Sequence, residues 1–389
     1  MNLENKISSV VTDIKPSGIR KFFDIAAEMK DVISLGIGEP DFVTPWHIRD
    51  AGIASLEKGQ TYYTSNHGLA ELRQEICSYM DRRFNLQYNP ENVLVTVGGS
   101  EAIDACIRAT IEIGDEVIIP EPCFVCYEPC VRLAGGIPVP LVTTAENNFK
   151  LTVDSLKKAI TPKTKLLILP YPNNPTGAIM TEKELLDIAK VLEETEILVL
   201  SDEIYAELTY STKHFSIANI KEMKQRTIVI GGFSKCYAMT GWRLGYAIGD
   251  EVIINAMTKI HQFAIMSAPT TSQYAAIEAL KNGDDDIERM AEEYDERRRY
   301  IIDRFNSIGL ECFEAQGAFY VFPCIKSTGM SSETFCKTLL QEKHVAVIPG
   351  NSFGQSGEGF VRVSYAYSIE KIEKALDRIE EFVKELKEK

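Results

Sequence analysis

"TIVIGGFSKCYAMTGWRLGY", residues 227–246, opens as a β-branched apolar run, meets two glycines, and then sets Lys235 and Arg243 among small and aromatic side chains. Its first part, TIVIGG at 227–232, is the last of three similar runs, after KLLILP at 165–170 and EILVLS at 196–201. The three start about thirty residues apart, the length of a strand, a crossover helix and the next strand. Apolar runs without alternation suit strands buried on both faces. NVLVTV at 92–97 and DEVIIP at 115–120 extend the series. The fold class expected is α/β, a large domain with a mainly parallel sheet wrapped by helices.

The segments between the runs agree. TEKELLDIAKVLEET, 181–195, places Leu185, Ile188, Ala189 and Leu192 at helical spacing, with an acidic first turn and Thr181 positioned as its cap. After about residue 270 the chain becomes long, helical and heavily charged, which reads as a solvated helix face bridging two domains. GAFYVFP, VAVIPG and FVRVSYA then read as short strands before an amphipathic terminal helix, so a smaller α+β domain is expected. The expected division is an N-terminal segment 1–40 joining the small domain, a large domain 41–285 and a small domain 286–389.

Composition narrows the classes of function. The 389 residues carry 42 Lys and Arg against 56 Asp and Glu, a net charge of -14, with no long basic run. Nucleic acid and anionic membrane are disfavoured as main partners. The first eighteen residues lack the apolar core of a secretory signal and no apolar stretch approaches bilayer length, so a cytoplasmic protein is expected. Nine scattered cysteines fit reduced thiols. The cluster Cys123, Cys126 and Cys130 in EPCFVCYEPC lacks a second pair or neighbouring histidines, so small buried thiols are favoured over a metal site.

In an open α/β sheet a ligand sits beyond the carboxyl ends of the strands. After 92–97 comes GGSEAIDACIRA, a glycine turn opening a helix with apolar Ala102, Ile103, Cys106 and Ile107; such a turn offers backbone N–H groups to a phosphate. It lacks the spacing of a dinucleotide or triphosphate loop. After 165–170 comes YPNNPTG, whose prolines and glycine leave Asn173 and Asn174 at the sheet's end. After 196–201 come Asp202 and Tyr205, and a carboxylate there is costly unless it meets a cation, either a ligand or a nearby Arg or Lys. After 227–232 comes Lys235, whose plain alternative is a lysine reaching to the surface. Together the four ends supply a Schiff-base lysine, a carboxylate to hold a pyridine nitrogen protonated, a phenol and an amide for a ring hydroxyl, and amides with an arginine for a phosphate. The cofactor matching that set is pyridoxal 5'-phosphate.

The stretches ISLGIGEPDFVTP, YYTSNHGLAELR, VTVGGSEAI, YPNNPTGA, SDEIYAELTY, FSKCYAMTGWRLGY, GAFYVFP and VRVSYA occur in this order over nearly the full length. In them the chain resembles the class I aminotransferases of fold type I, the aspartate aminotransferase superfamily, and within it the prokaryotic branch with aspartate and aromatic amino-acid aminotransferases. The resemblance implies Lys235 as the Schiff-base lysine, Asp202 as partner of the pyridine nitrogen, and Tyr205 and Asn174 as ligands of the ring hydroxyl. It further implies Gly99, Ser100 and Glu101 as the backbone phosphate cradle, Arg243 as its arginine, and Phe124 stacked on the cofactor. Tyr63 matches a tyrosine that reaches the neighbouring subunit's phosphate, implying a homodimer with shared active sites. Gly38 and Arg362 match the groups that hold the substrate carboxylate, with Asn174 beside them. Where the family often has a serine three residues before the lysine this chain has Gly232, leaving Ser234 as the nearby hydroxyl. No clear match exists for the arginine that reads a distal carboxylate; Arg20 is the candidate.

The activity implied is ping-pong transfer of an amino group from an L-amino acid, aromatic or aspartate-like or over a broad range, to a 2-oxo acid such as 2-oxoglutarate. The resemblance also implies closure of the small domain over substrate. Phe319 and Tyr320, with Phe124 and Tyr63, would line a pocket for an aromatic side chain or else be ordinary packing. A cystathionine β-lyase-like elimination uses nearly the same residues. A non-catalytic ligand sensor would want an added basic DNA-binding module, and the segment before ISLGIGEP is short and not basic.

Overall fold

The computed structural model describes residues 1, 3–16, 18 and 29–388; Arg20 lies outside the described residues. The chain forms a short strand β1 (Ile33–Ser34) and then the central sheet, built from β2 (Val93–Thr96), β3 (Glu116–Glu121), β4 (Ile137–Val142), β5 (Thr164–Leu169), β6 (Leu198–Asp202), β7 (Thr227–Gly232) and β8 (Gly245–Ile248). Their order is β2-β8-β7-β6-β5-β3-β4. The pairs β3–β4, β3–β5, β5–β6 and β6–β7 are parallel. β8 is antiparallel to both neighbours. Two antiparallel steps return β2 to the direction of β7, so β2, β3, β5, β6 and β7 all end on the same side of the sheet.

The five apolar runs are strands, and two further strands, β4 and β8, were not foreseen. β4 carries Pro138 and Pro140 and lies at the sheet edge, where missing N–H donors are tolerated. β8 is a four-residue run that follows directly on the lysine loop.

Helices cover the sheet as the patterns imply. The helix Gly99–Thr110 buries Ala102, Ile103, Cys106 and Ile107. The helix Glu182–Glu193 buries Leu185, Ile188, Ala189 and Leu192, and Thr181 Oγ1 caps it by accepting from the Glu184 amide at 3.3 Å. The charged stretch is two helices, Thr270–Asn282 and Asp284–Ile308, separated by Gly283. The second buries Ile287, Met290, Tyr294, Ile301 and Phe305, leaves most of its charges solvated, and runs across position 285.

Beyond it, β9 (Tyr320–Val321), β10 (Val345–Ala346), β11 (Ile348–Pro349) and β12 (Val361–Ser364) are formed. β9, β11 and β12 make an antiparallel sheet in the order β11-β12-β9, while β10 pairs in parallel with β1. Leu35 from the N-terminal part packs in one core with Val345, Val363, Tyr365 and Leu376. The helix Ile369–Glu388 closes that core with Ile372, Leu376, Ile379 and Phe382 at helical spacing. Among the described residues no helix is long and apolar enough to cross a membrane, and no group of three or more His, Cys, Asp or Glu side chains is arranged to hold a metal. Cys123 is buried, and Cys126 and Cys130 are half-buried.

Candidate active site

The common side of the strand ends opens into a cleft of about 360 Å³. Gly38, Gly99, Ser100, Phe124, Asn174, Asp202, Tyr205, Ser234, Lys235, Arg243 and Arg362, all expected from the sequence, line it. Tyr63 does not; it is 83% exposed on the outer surface.

The loop between β7 and β8 begins and ends at the paired Gly232 and Gly245, so Lys235 and Arg243 are brought back to one sheet end. Lys235 does not reach to the surface. It is half-buried, its Nζ donates to the Gly38 carbonyl at 2.7 Å, and the ring centroids of Tyr205 and Phe319 lie 5.9 and 5.7 Å away. Burial pulls its amine down to about 8; Glu39 opposes this, and Arg362 and Arg243 add to it.

At the end of β6, Asp202 meets no Arg or Lys side chain among the described residues. Its Oδ2 accepts from Tyr127 Oη at 2.6 Å and its Oδ1 from the Ile204 amide at 3.3 Å, both neutral donors. Burial raises its pKa, which the two hydrogen bonds only partly oppose. The adjacent Glu203 turns the other way and is satisfied by Ser201, Ser216 and His214. Tyr127 was not foreseen; it sits three residues after Phe124 at the start of a helix, with the two rings edge-on at 6.0 Å.

The glycine turn after β2 faces Arg243. Gly98 has φ 80°, and a Cβ there would lie 2.7 Å from Arg243 Nη2. A Cβ on Gly245 would lie 2.6 Å from the Gly98 carbonyl carbon and the Gly99 nitrogen. Only glycine lets these two backbones approach, which leaves the Gly99 and Ser100 end of the helix open to the cleft. The expectation for Glu101 concerns its backbone; its side chain is not in the cleft lining. It points away from the cleft and accepts from the Val97 amide and from His261 Nδ1.

The β5 turn separates its two asparagines. Asn173 closes the turn, its Oδ1 accepting from Thr176 N and Oγ1 at 3.1 and 2.8 Å. Asn174 faces the cleft, where its Oδ1 accepts from Arg362 Nη1 at 2.9 Å. Arg362, 3% exposed on β12, also donates to the Gly36 carbonyl at 2.5 Å and lies over the rings of Tyr320 and Phe353 at 4.5 and 4.8 Å. Its partners are neutral, so a buried guanidinium faces the cleft ready for an incoming carboxylate. Of the aromatic residues suggested as lining, Phe124 and Tyr320 face the cleft, whereas Phe319 is fully buried behind Tyr205.

Tyr320 joins the two halves of the site, with its hydroxyl 2.8 Å from that of Tyr205 and its ring under Arg362. Tyr320→Phe removes the hydroxyl and keeps the ring. The expected result in steady-state kinetics is a fall in kcat of about 3–10-fold with KM for the amino acid within about twofold. A large rise in KM at constant kcat would show that the hydroxyl serves substrate binding instead.

An amine in one cleft with a carboxylate that no described Arg or Lys side chain meets, the glycine turn beside Arg243, and the buried guanidinium of Arg362 make the set that an aldehyde cofactor carrying a pyridine ring and a phosphate calls for. The family described as "Aminotransferase class I and II" matches residues 30–379, and the chain belongs to it; it is an aminotransferase of the fold type I, pyridoxal-phosphate-dependent kind. YugH of Bacillus subtilis (strain 168), named as an aminotransferase without a stated substrate, is 54% identical over 97% of this chain and 98% of its own. An aspartate aminotransferase of Pyrococcus abyssi is 47% identical over 96% of this chain and 97% of its own. The crystal structure of the aromatic aminotransferase from Pyrococcus horikoshii superposes with a TM-score of 0.90 at 43% identity, covering 95% of this chain and 99% of that one. The family implies pyridoxal 5'-phosphate, and the residues present fit it: the cation that Asp202 lacks, the amine of Lys235 and the open cradle at Gly99 each answer to one part of that molecule.

Proposed function

We propose that this aminotransferase transfers the amino group of an aromatic L-amino acid, with aspartate as the main competing donor, to a 2-oxo acid such as 2-oxoglutarate in two half-reactions. The observation that carries the reading is the convergence, in one cleft, of an amine held at about 8 and a buried arginine with no carboxylate partner among the described residues. Pyridoxal phosphate, when bound, supplies an electron-withdrawing ring that makes the α C–H bond of an attached amino acid acidic. Asp202 supplies the negative charge at the ring nitrogen, Tyr205 and Asn174 hold the ring hydroxyl, and Arg243 with Gly99, Ser100 and Ser234 holds the phosphate. Arg362 and Gly38 fix the substrate carboxylate, which aims the α-hydrogen at Lys235, and Lys235 Nζ accepts that proton.

The lean toward aromatic donors rests on the charges in the cleft. Its described lining holds three cations, Lys235, Arg243 and Arg362, each with a role already, while Ile37, Phe124, Tyr320 and the anionic Glu39 border the remaining space. Among the described residues no further cation borders that space for a distal carboxylate, and Arg20, the candidate for that role, lies outside them. The test is to add aromatic, acidic and aliphatic L-amino acids singly to the pyridoxal-phosphate-loaded enzyme, with no acceptor. Loss of the bound cofactor's visible band with an equal amount of 2-oxo acid is expected, aromatic donors reacting fastest. Pyruvate and ammonia from cystathionine, with the band retained, would point to elimination.

We further propose a homodimer in which Tyr63 completes the partner's phosphate site. Tyr62, Tyr63 and Phe263 are 80, 83 and 87% exposed, and Asn66 Nδ2 donating to the Met266 carbonyl and Thr270 Oγ1 to the Tyr62 carbonyl tie their segments into one apolar surface. Light scattering is expected to give twice the 43.5 kDa chain mass. All nine cysteines are free, which suits the cytoplasm as the working compartment.

A further inference from the structure

Behind the glycine turn lies a buried pair that the proposed chemistry does not use. Glu101 is the third residue of the helix Gly99–Thr110, and one carboxylate oxygen accepts the amide hydrogen of Val97, the residue leaving β2. The other accepts from His261 Nδ1 at 2.6 Å. His261 comes from the helix Glu251–Ala264; its side chain is 0% exposed and that of Glu101 14%. An ionised carboxylate only accepts, so the imidazole carries its proton on Nδ1. Its Nε2 is buried and has no partner among the described residues. The ring is therefore held by one polar contact, the one to Glu101.

Without that contact the carboxylate has another place to go. A glutamate in the first turn of a helix is drawn to the free amides at the helix start. Here those amides belong to Gly99 and Ser100 and face the cleft, where a phosphate would compete with it. By taking one oxygen, His261 keeps the carboxylate turned back onto Val97, where it also pins the turn around Gly98, already braced by Thr96 Oγ1 donating to the Gly98 carbonyl at 3.0 Å.

We infer that His261 and Glu101 form a positioning unit for the phosphate cradle, holding the turn at residues 97–99 and keeping the Glu101 charge off the amides that the phosphate needs. This rests on the proposed cofactor-binding reading. The test titrates the full-length enzyme, stripped of cofactor, with pyridoxal phosphate and separately with pyridoxal, which lacks the phosphate, and records the 31P resonance of the bound phosphate. His261→Gln, whose amide reaches the Nε2 position, is expected to weaken pyridoxal phosphate binding about tenfold and shift the 31P signal, with pyridoxal affinity unchanged. His261→Asn, whose amide N–H falls where Nδ1–H stands, is expected to behave as the parent. Should His261→Gln fail to fold, Glu101→Ala, which frees the turn at Val97 but also removes the competing charge, is expected to show a smaller loss that is again selective for the phosphate. Variants that bind both ligands like the parent, or lose both equally, would overturn the inference. A parent that binds neither would instead sink the cofactor reading itself.

Discussion

Lys235→Ala is expected to reduce kcat at least about 10³-fold while the protein still retains pyridoxal phosphate through its cradle. Among the described residues no other amine lines the cleft, since the remaining cations there are guanidiniums, which do not release a proton near neutral pH. The same lysine has the opposite effect on the cofactor-free chain. Its amine sits at about 8 in the fold against 10.5 when unburied. Below pH 8 both folded and unfolded chains bind the proton, and the fold bears the full cost of burying the charge. Between about 8 and 10.5 the unfolded chain binds more protons, so this contribution to stability improves as pH rises and is level above that window. Lys235→Met, of similar length and packed near Tyr205 and Phe319, is therefore expected to stabilise the cofactor-free enzyme at pH 7 by about 1–3 kcal/mol. That gain should shrink as the pH approaches 10. Denaturant titration at the two pH values reads it directly; equal gains at both would mean that packing rather than charge is responsible. Undiminished transamination by Lys235→Ala would end the assignment of the lysine.

What the sequence discloses about this protein follows from how each feature is encoded. β5, β6 and β7 are legible because a strand buried on both faces has to be apolar at every position. β4 is hidden because an edge strand tolerates proline, and IPVPLV does not look like a strand by composition. In the site, a strand-end position singles out Asp202 and Lys235, since a charge there is costly and calls for a reason. Asn173 and Asn174 are equivalent in sequence; only the folded turn shows that the first closes the loop and the second faces Arg362. Arg362 is one of 42 basic residues, and resemblance to a family singled it out where pattern could not. Tyr127 and His261 were missed for a related reason. Each partners a residue far along the chain, 75 and 160 positions away, and a lone tyrosine or histidine on an apolar helix face gives no signal of that.

Asp202→Asn is expected to lower kcat by about 10²–10³-fold with KM for the amino acid nearly unchanged. The substitution keeps the size of the side chain, and its oxygen can still accept from Tyr127 Oη. What it loses is the charge and, at the other position, the long 3.3 Å acceptance from the Ile204 amide. On the proposed reading a protonated ring nitrogen fills the place of the cation that Asp202 lacks, and the variant would present a neutral amide there, leaving the ring unprotonated and a weaker acceptor of the electrons released at the α carbon. On the same reading substrate binding is spared, because Arg362 and Asn174, proposed to meet the carboxylate, are positioned from β12 and the β5 turn and do not hydrogen-bond to Asp202. Stability separates this effect from general damage. In the cofactor-free chain Asp202 is a buried carboxylate whose pKa burial has raised, so its neutralisation should cost that state little. In the loaded enzyme the charge pair is gone, and the rise in Tm on adding pyridoxal phosphate should be smaller than in the parent. If instead the cofactor-free variant unfolds readily and the loaded one gains as much as the parent, Asp202 is holding the protein together rather than the ring nitrogen, and the carboxylate for that role must be sought elsewhere in the cleft, where Glu39 is the remaining acid among the described residues.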